Sequence, residues 1–179
     1  LPCAIKADYT YSALGLKTGL FTGQGKEFSG QVDVISLIPI DEDLNPSAQL
    51  SATTISLPQR KAFGNKGSYG HVLIVGGHAD MGGAVMMAAE SAYSAGAGKV
   101  TIVCNEKHHT AILARSPNIM LRDINALTEA EIQQLLEHVD AVSFGMGLGR
   151  DTWSEQQFFK WFPKINTAKH LHVVLDADA

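Results

Sequence analysis

Three short stretches gather residue types that can do chemistry. The first is VLIVGGHADMGGAV (72–85), where an apolar run meets two glycine pairs and then a helix-like segment. Glycines allow a backbone to approach a ligand closely, and a helix start offers free N–H groups and a positive dipole end to an anion. The second is GMGLG (145–149), whose three alternating glycines exceed what a tight turn demands and suit an anion-binding nest. The third is DADA (176–179), where Asp176 and Asp178 could hold Mg2+ through water, orient a ribose, exchange protons, or cap a following helix. Taken alone, each glycine stretch is open to two readings, a phosphate cradle or a plain strand-to-helix turn.

Other groups carry less. GGHADMGG lacks the G-x-G-x-x-G spacing of a dinucleotide fingerprint and the Gly-Lys-Ser/Thr of a P-loop. A Rossmann oxidoreductase is therefore disfavoured. His78, His108 and His109 fall on the same rim without an H-x-x-x-H or cysteine partner, so solvent or loop roles are expected. Met81, Met86 and Met87 are expected to fill gaps in the core. Lys66 precedes the first strand of the regular part, on the side away from the glycine loop in a simple reading, although it could fold over to bind phosphate.

Strands and helices must bring these stretches together. His71–Val75 and Lys99–Cys104 are apolar, β-branched runs of the kind buried on both faces of a sheet. Asp140–Phe144 and Leu171–Leu175 complete four expected strands. Between them, helices are expected over Ala84–Ala95, stopped by Gly96-Ala-Gly98, and over Thr128–His138 and Thr152–Phe162. The last two each open with a Thr followed three residues later by a Glu, the capping-box pattern. This alternation predicts βαβ units and a parallel sheet, whose ligands sit beyond the carboxyl ends of the strands. The three chemical stretches all fall at such ends.

The amino-terminal part reads differently. It has strand-like pieces at Asp8–Leu14 and Gln31–Ile38 around the glycine-rich GLKTGLFTGQGKEFSG, and no helix long enough to cover a sheet. Asp41–Lys61, with Asn45-Pro46 and Pro58, reads as a linker or extended arm.

Bulk properties bound the class. The chain has 179 residues, 45% hydrophobic and 18% charged, enough for one substantial core. A net charge of −4 and scattered lysines and arginines argue against a nucleic-acid partner or an anionic membrane surface. No apolar run reaches the length of a membrane-spanning helix, and the start lacks the pattern of a signal peptide. The two cysteines, Cys3 and Cys104, show no metal or redox spacing. A cytoplasmic location is the expectation.

Over 66–179 the sequence resembles the ADP/ATP-dependent NAD(P)H-hydrate dehydratase family. The resemblance rests on NKGSYGHVLIVGGHADMGGAVMMAAESAYSAGAGKVTI, AILARSPNIM, GMGLG and VVLDADA, in this order and spacing. It implies the amino-terminal half of a ribokinase-like three-layer α/β/α fold with a mainly parallel sheet. ADYTYSALGLKTGLFTGQGKEFSGQVDV is similar to the tail of the Rossmann-like NAD(P)H-hydrate epimerase domain that is fused ahead of the dehydratase in bifunctional members. The implied organisation is an epimerase remnant at 1–40, a linker at 41–65, and half of the dehydratase domain at 66–179.

The resemblance also implies the chemistry. Hydrated NADH or NADPH would be phosphorylated on its hydroxyl by ADP or ATP with Mg2+, and loss of phosphate would restore the ring. The epimerase part, with K+, would interconvert the hydrate epimers. By position, Ala84, Gly147 and Gly149 would contact the hydrate, and Asp176 and Asp178 would line the same cleft. Asp8 would contact substrate and Ser12 potassium in the epimerase remnant. A homo-oligomer is implied as well.

The family pattern continues past LDADA with a His-Pro-Gly-Glu loop and a Gly-Asp motif whose Asp is the catalytic base. Neither motif occurs in the 179 residues. The expectation is a fragment without turnover of its own. Alternatives with other functions are a ribokinase-superfamily kinase acting on a sugar, a hydroxyethylthiazole or a pyridoxal-like alcohol, and a nucleotide-binding module without chemistry.

Overall fold

A computed structural model describes residues 3–39, 45–48, 56–57 and 59–179. Much of the expected linker, including Pro58, lies outside the described residues. The chain divides into two compact units, Leu1–Ile55 and Ser56–Ala179.

In the first unit, β1 (Tyr9–Ala13) pairs in parallel with β2 (Gln31–Ile35), Tyr9 opposite Gln31 and Ala13 opposite Ile35. The crossover contains a short helix, α1 (Gly25–Ser29). Thr10 Oγ1 donates to the Ser29 carbonyl at 2.6 Å, and Ser29 Oγ to the Leu20 carbonyl at 2.8 Å, tying the crossover down. Gly30 turns the chain into β2 with φ of 58°, where a Cβ would come within 2.3 Å of the Asp8 carbonyl oxygen. The expected strand over 31–38 ends at Ile35.

The second unit is a five-stranded, all-parallel sheet covered on both faces. Its elements run β3 (His71–Val75), α2 (Gly83–Ser94), β4 (Lys99–Cys104), α3 (His109–Arg115), β5 (Met120–Asp123), α4 (Glu129–Glu137), β6 (Ala141–Phe144), α5 (Thr152–Thr167) and β7 (His172–Leu175). The strand order is β5-β4-β3-β6-β7, with every pair parallel.

The period of two along the central strands feeds two cores. Leu73 and Val75 point to one face, where Ile132 and Leu136 of α4 and Trp161 and Ile165 of α5 cover them. Ile74 points to the other face, with Val85 and Ala89 of α2 and Ile112 of α3. Full burial of each such aliphatic side chain contributes about 1.5–3 kcal/mol. The order of layers is helix, sheet, helix.

Helix ends follow local chemistry. At α4 the capping box forms as expected: Thr128 N–H donates to Glu131 Oε2 at 2.8 Å, and Glu131 N–H to Thr128 Oγ1 at 3.3 Å. At α5 it does not. The cap there is Asp151, whose extended backbone lets its carboxylate accept from Ser154 N–H at 2.9 Å, while Thr152 is already helical. That helix also runs through Pro163 to Thr167 instead of stopping at Phe162. The carbonyl deprived of a donor belongs to Phe159, on the exposed side of the helix.

Two further corrections concern the sheet and the methionines. β5 and α3 were absent from the expected pattern, because MLRD has no β-branched residue and a polar end, and α3 is only seven residues long. Met87 is 63% exposed and Met81 40% exposed, while Met86 packs against the core. Val85 and Ala89, four apart, set the buried stripe of α2, and Met87 lies between them on the opposite side.

Candidate functional site

The strand order creates the site. From β3 the chain moves outward through β4 to β5, then returns to place β6 on the other side of β3. The carboxyl ends of β3 and β6 therefore flank a topological switch point, where a crevice opens in sheets of this kind. GGHADMGG follows β3 and GMGLG follows β6, so both glycine stretches fall at that crevice.

They are bound to each other. Gly77 N–H donates to the Met146 carbonyl at 3.1 Å, His78 N–H to the Gly147 carbonyl at 2.7 Å, and Gly145 N–H to the Val75 carbonyl at 3.0 Å. The packing is too close for side chains. A Cβ at Gly76 would lie 2.2 Å from the Met146 oxygen, and one at Gly147, whose φ is 59°, would lie 2.6 Å from the Met81 oxygen. Much of the glycine content thus serves loop-on-loop contact, which neither the cradle nor the simple turn reading foresaw.

Further donors lie at the start of α2. Gly82 precedes it with helical backbone, and among the described residues no side chain caps this end. A Cβ on Gly83 would meet nothing within 4 Å, so the approach to the first turn is open. The N–H groups of Gly83, Ala84 and Val85 have no intrahelical partner by virtue of position. Ala84 packs its methyl on the core and leaves its amide at the rim.

The carboxylates differ. Asp178 Oδ2 accepts from Gly149 N–H at 3.0 Å, so it fixes the end of the second loop. Asp176 is exposed at the same rim, and between them Ala177 adopts a left-handed conformation with φ of 44°. An open cleft of about 660 Å3 runs along this side, lined by Gly149, Arg150, Asp151, Ser154, Phe158 and Asp178 among others. Asp151 is held below the ordinary carboxylate range by hydrogen bonds from the Ser154 amide and hydroxyl, with His78 adding attraction.

His78 and His108 both have roles within the loops. His78 Nε2 lies 3.3 Å from Asp151 Oδ2, and its ring meets Trp153 edge-on at 5.0 Å. His108 Nε2 lies 2.7 Å from the His78 carbonyl; since a carbonyl only accepts, this nitrogen carries the proton. His108 also packs where a side chain at Gly82 would stand. Sequence spacing gave no signal for these pairs, because each joins loops from different strands. Among the described residues no three His, Cys, Asp or Glu side chains cluster as a metal centre. Lys66 sits in a 3-10 turn beside Gly98, at the amino-terminal end of the sheet and away from the rim.

Asp8 and Ser12 belong to the first unit. Ser12 is buried, and its hydroxyl donates to the Gly15 carbonyl at 2.6 Å. Lys17 Nζ rests on the Ala13 and Gly15 carbonyls at 3.1 and 3.2 Å.

Known proteins resemble this chain in sequence and fold. The family model described as NAD(P)H-hydrate dehydratase matches residues 72–179. A bifunctional NAD(P)H-hydrate repair enzyme of Coxiella burnetii is 30% identical over 185 residues, covering 97% of this chain and 37% of the relative. An ADP-dependent (S)-NAD(P)H-hydrate dehydratase of Staphylococcus aureus is 33% identical over 126 residues, 70% of this chain and 44% of its own length. Among solved structures, a ribokinase-like superfamily protein from Enterococcus faecalis superposes with a TM-score of 0.59 at 26% identity, covering 65% of this chain and 40% of that one. An ADP/ATP-dependent NAD(P)H-hydrate dehydratase from Bacillus subtilis, co-crystallized with ATP and Mg2+, gives 0.54 at 26% identity, with coverages of 68% and 42%. The chain spans roughly two fifths of the length of these relatives. The parallel sheet with its two glycine loops is a ribokinase-like α/β fold, and the chain belongs to the NAD(P)H-hydrate dehydratase family.

Proposed function

We propose that the protein acts in nicotinamide-nucleotide repair, returning hydrated NADH or NADPH to the normal cofactor at the expense of ADP or ATP. The observation that carries this reading is the uncapped start of α2 beside the interlocked glycine loops, at the switch point of the sheet. Both reactants carry pyrophosphate, and an open helix start next to closely approachable backbone suits such groups. Ala84 and the backbone of Gly147 and Gly149 would meet the hydrated dinucleotide, and Asp178 would hold Gly149 in place for it.

The exposed Asp176 suits Mg2+ bound through water, and Mg2+ there would offset charge on the transferring phosphoryl group. The hydrate hydroxyl would give its proton to a base and attack the terminal phosphorus of ADP or ATP, releasing AMP or ADP, and departure of the phosphate from the ring with loss of a ring proton would restore the double bond. The Gly-Asp motif expected to supply the base is not among the 179 residues.

Residues 1–40 would be the carboxyl-terminal part of an epimerase domain and 41–65 the connection to the dehydratase part at 66–179. The bifunctional relatives matched along nearly the whole chain support this organisation. In that part, Asp8 would contact the hydrate. Ser12 and the carbonyls of Ala13 and Gly15 supply oxygens that suit K+, which would displace the Lys17 ammonium from two of them. The assembly would be a homo-oligomer located in the cytoplasm.

The test is to incubate the full reading frame with ADP or ATP and hydrated NADH, following recovery of reduced nicotinamide absorbance. Recovery dependent on the nucleotide is expected. Phosphorylation of a sugar or vitamin alcohol without recovery of NADH would overturn the reading in favour of a small-molecule kinase.

A further inference from the structure

We propose that His78 is a positioning residue that grips the second glycine loop at its middle and just past its end. It thereby sets where Gly147 and Gly149 present their backbone to the nicotinamide nucleotide. The identity of that ligand rests on the function proposed above; the grip itself does not.

At the middle of the GMGLG segment, His78 N–H donates to the Gly147 carbonyl at 2.7 Å. Past its end, His78 Nε2 reaches Asp151 Oδ2 at 3.3 Å. One residue of the first loop therefore holds the second at two points. The other attachments hold single points: Gly145 on Val75, Met146 on Gly77, Leu148 through Ser154 Oγ at 2.8 Å, and Gly149 on Asp178.

The imidazole is itself held. Trp153 lies edge-on to it, and Trp153 Nε1 donates to Asn125 Oδ1 at 2.7 Å, anchoring the indole to the turn before α4. Asp151 Oδ1 meanwhile accepts from Ser154 N–H and caps α5. The His78 carbonyl accepts from Met81 N–H at 2.9 Å and from His108 Nε2. Backbone and ring of His78 are thus fixed independently, and the ring ties the first loop to the start of α5.

Asp151 is more than half exposed in this pair, and a polar contact at that exposure adds little to global stability. Its consequence is local. With the ring removed, Gly147 keeps one bond to the first loop, and the turn from Gly149 into α5 loses its link to that loop. A backbone with three glycines then samples more directions, which raises the ordering cost of binding.

The experiment compares the unsubstituted protein with His78→Ala, His78→Gln and Asp151→Asn. Readouts are amide hydrogen exchange over 145–150, calorimetric binding of NADPH and thermal stability. His78→Ala is expected to speed exchange over 145–150 about ten-fold with little change in melting temperature, and to weaken NADPH binding about ten-fold. His78→Gln, whose amide can donate to Asp151, should restore both. Asp151→Asn keeps an acceptor for the α5 cap and should give an intermediate effect. Unchanged exchange over 145–150 in His78→Ala would overturn the grip, and faster exchange with unchanged NADPH binding would overturn its positioning role. If the unsubstituted protein binds no NADPH while His78→Ala still loosens the loop and Gln restores it, the grip stands and the assigned ligand fails.

Discussion

Gly147 and Met81 meet backbone to backbone: the position a Cβ would take on Gly147 lies 2.6 Å from the Met81 carbonyl oxygen, and the Gly147 φ is 59°. Gly147→Ala must therefore bear a left-handed conformation, costing ~1–2 kcal/mol, and push the two loops apart. Urea unfolding should show at least that loss, and NADPH titration should show weaker binding than the loss of stability alone would cause.

Thr128→Ala removes the hydroxyl that accepts from Glu131 N–H and leaves the start of α4 with one donor fewer satisfied. A loss of about 1 kcal/mol is expected. Because α4 lies away from the glycine loops, ligand binding at 25 °C should be unaffected. Denaturant midpoints and a binding titration on the same sample check both halves.

The acid limb of stability has an assigned origin. Asp151 is depressed below its ordinary value of 3.8 by the Ser154 amide and hydroxyl. Glu90 is depressed below 4.5 by hydrogen bonds from Arg115 and then Ser116, and Glu131 below 4.5 by the Thr128 hydroxyl and amide. A group depressed on folding stabilises the native state above its unfolded value, and that contribution disappears as pH falls through the folded one. Stability should therefore be flat above pH 4.5 on account of these groups and decline from there downward. Replacing Asp151 by Asn should make the decline shallower, as read by unfolding at a series of pH values.

Burial pushes the Cys104 thiol up to about 12, with the nearby Asp123 charge adding to the effect, whereas Cys3 is exposed. At pH 8 a thiol reagent should label Cys3 promptly and Cys104 only after denaturation. Two promptly labelled thiols in the native protein would contradict the burial of Cys104 against Gly77.

Much of this architecture is legible in the chain. β3 and β4 announce themselves through unbroken β-branched runs, and α4 through Thr128 and Glu131. The short α3 and β5 do not, since MLRD carries neither a β-branched residue nor a clean alternation. Thr152 and Glu155 mimic a capping box, but the residue before them has the extended backbone and the better acceptor. At the site, glycine positions were visible and their purpose was not. The need for Gly76 and Gly147 comes from Met146 and Met81 on the opposing loop, and only the strand order brings those loops together. The pairing of His78 with Asp151 has the same cause: no spacing rule links a residue after β3 to one after β6.

The mutual hydrogen bonds of the two glycine loops also bear on kinetics. Their backbone is set when the sheet forms, so the nucleotide proposed to bind there would meet a socket that has already taken its shape. Association should follow a single exponential whose rate rises linearly with nucleotide concentration, without the plateau that a slow loop closure would impose. What would discriminate between ligands is then the residence time, governed by how well each one satisfies the amides proposed to bind them at the start of α2.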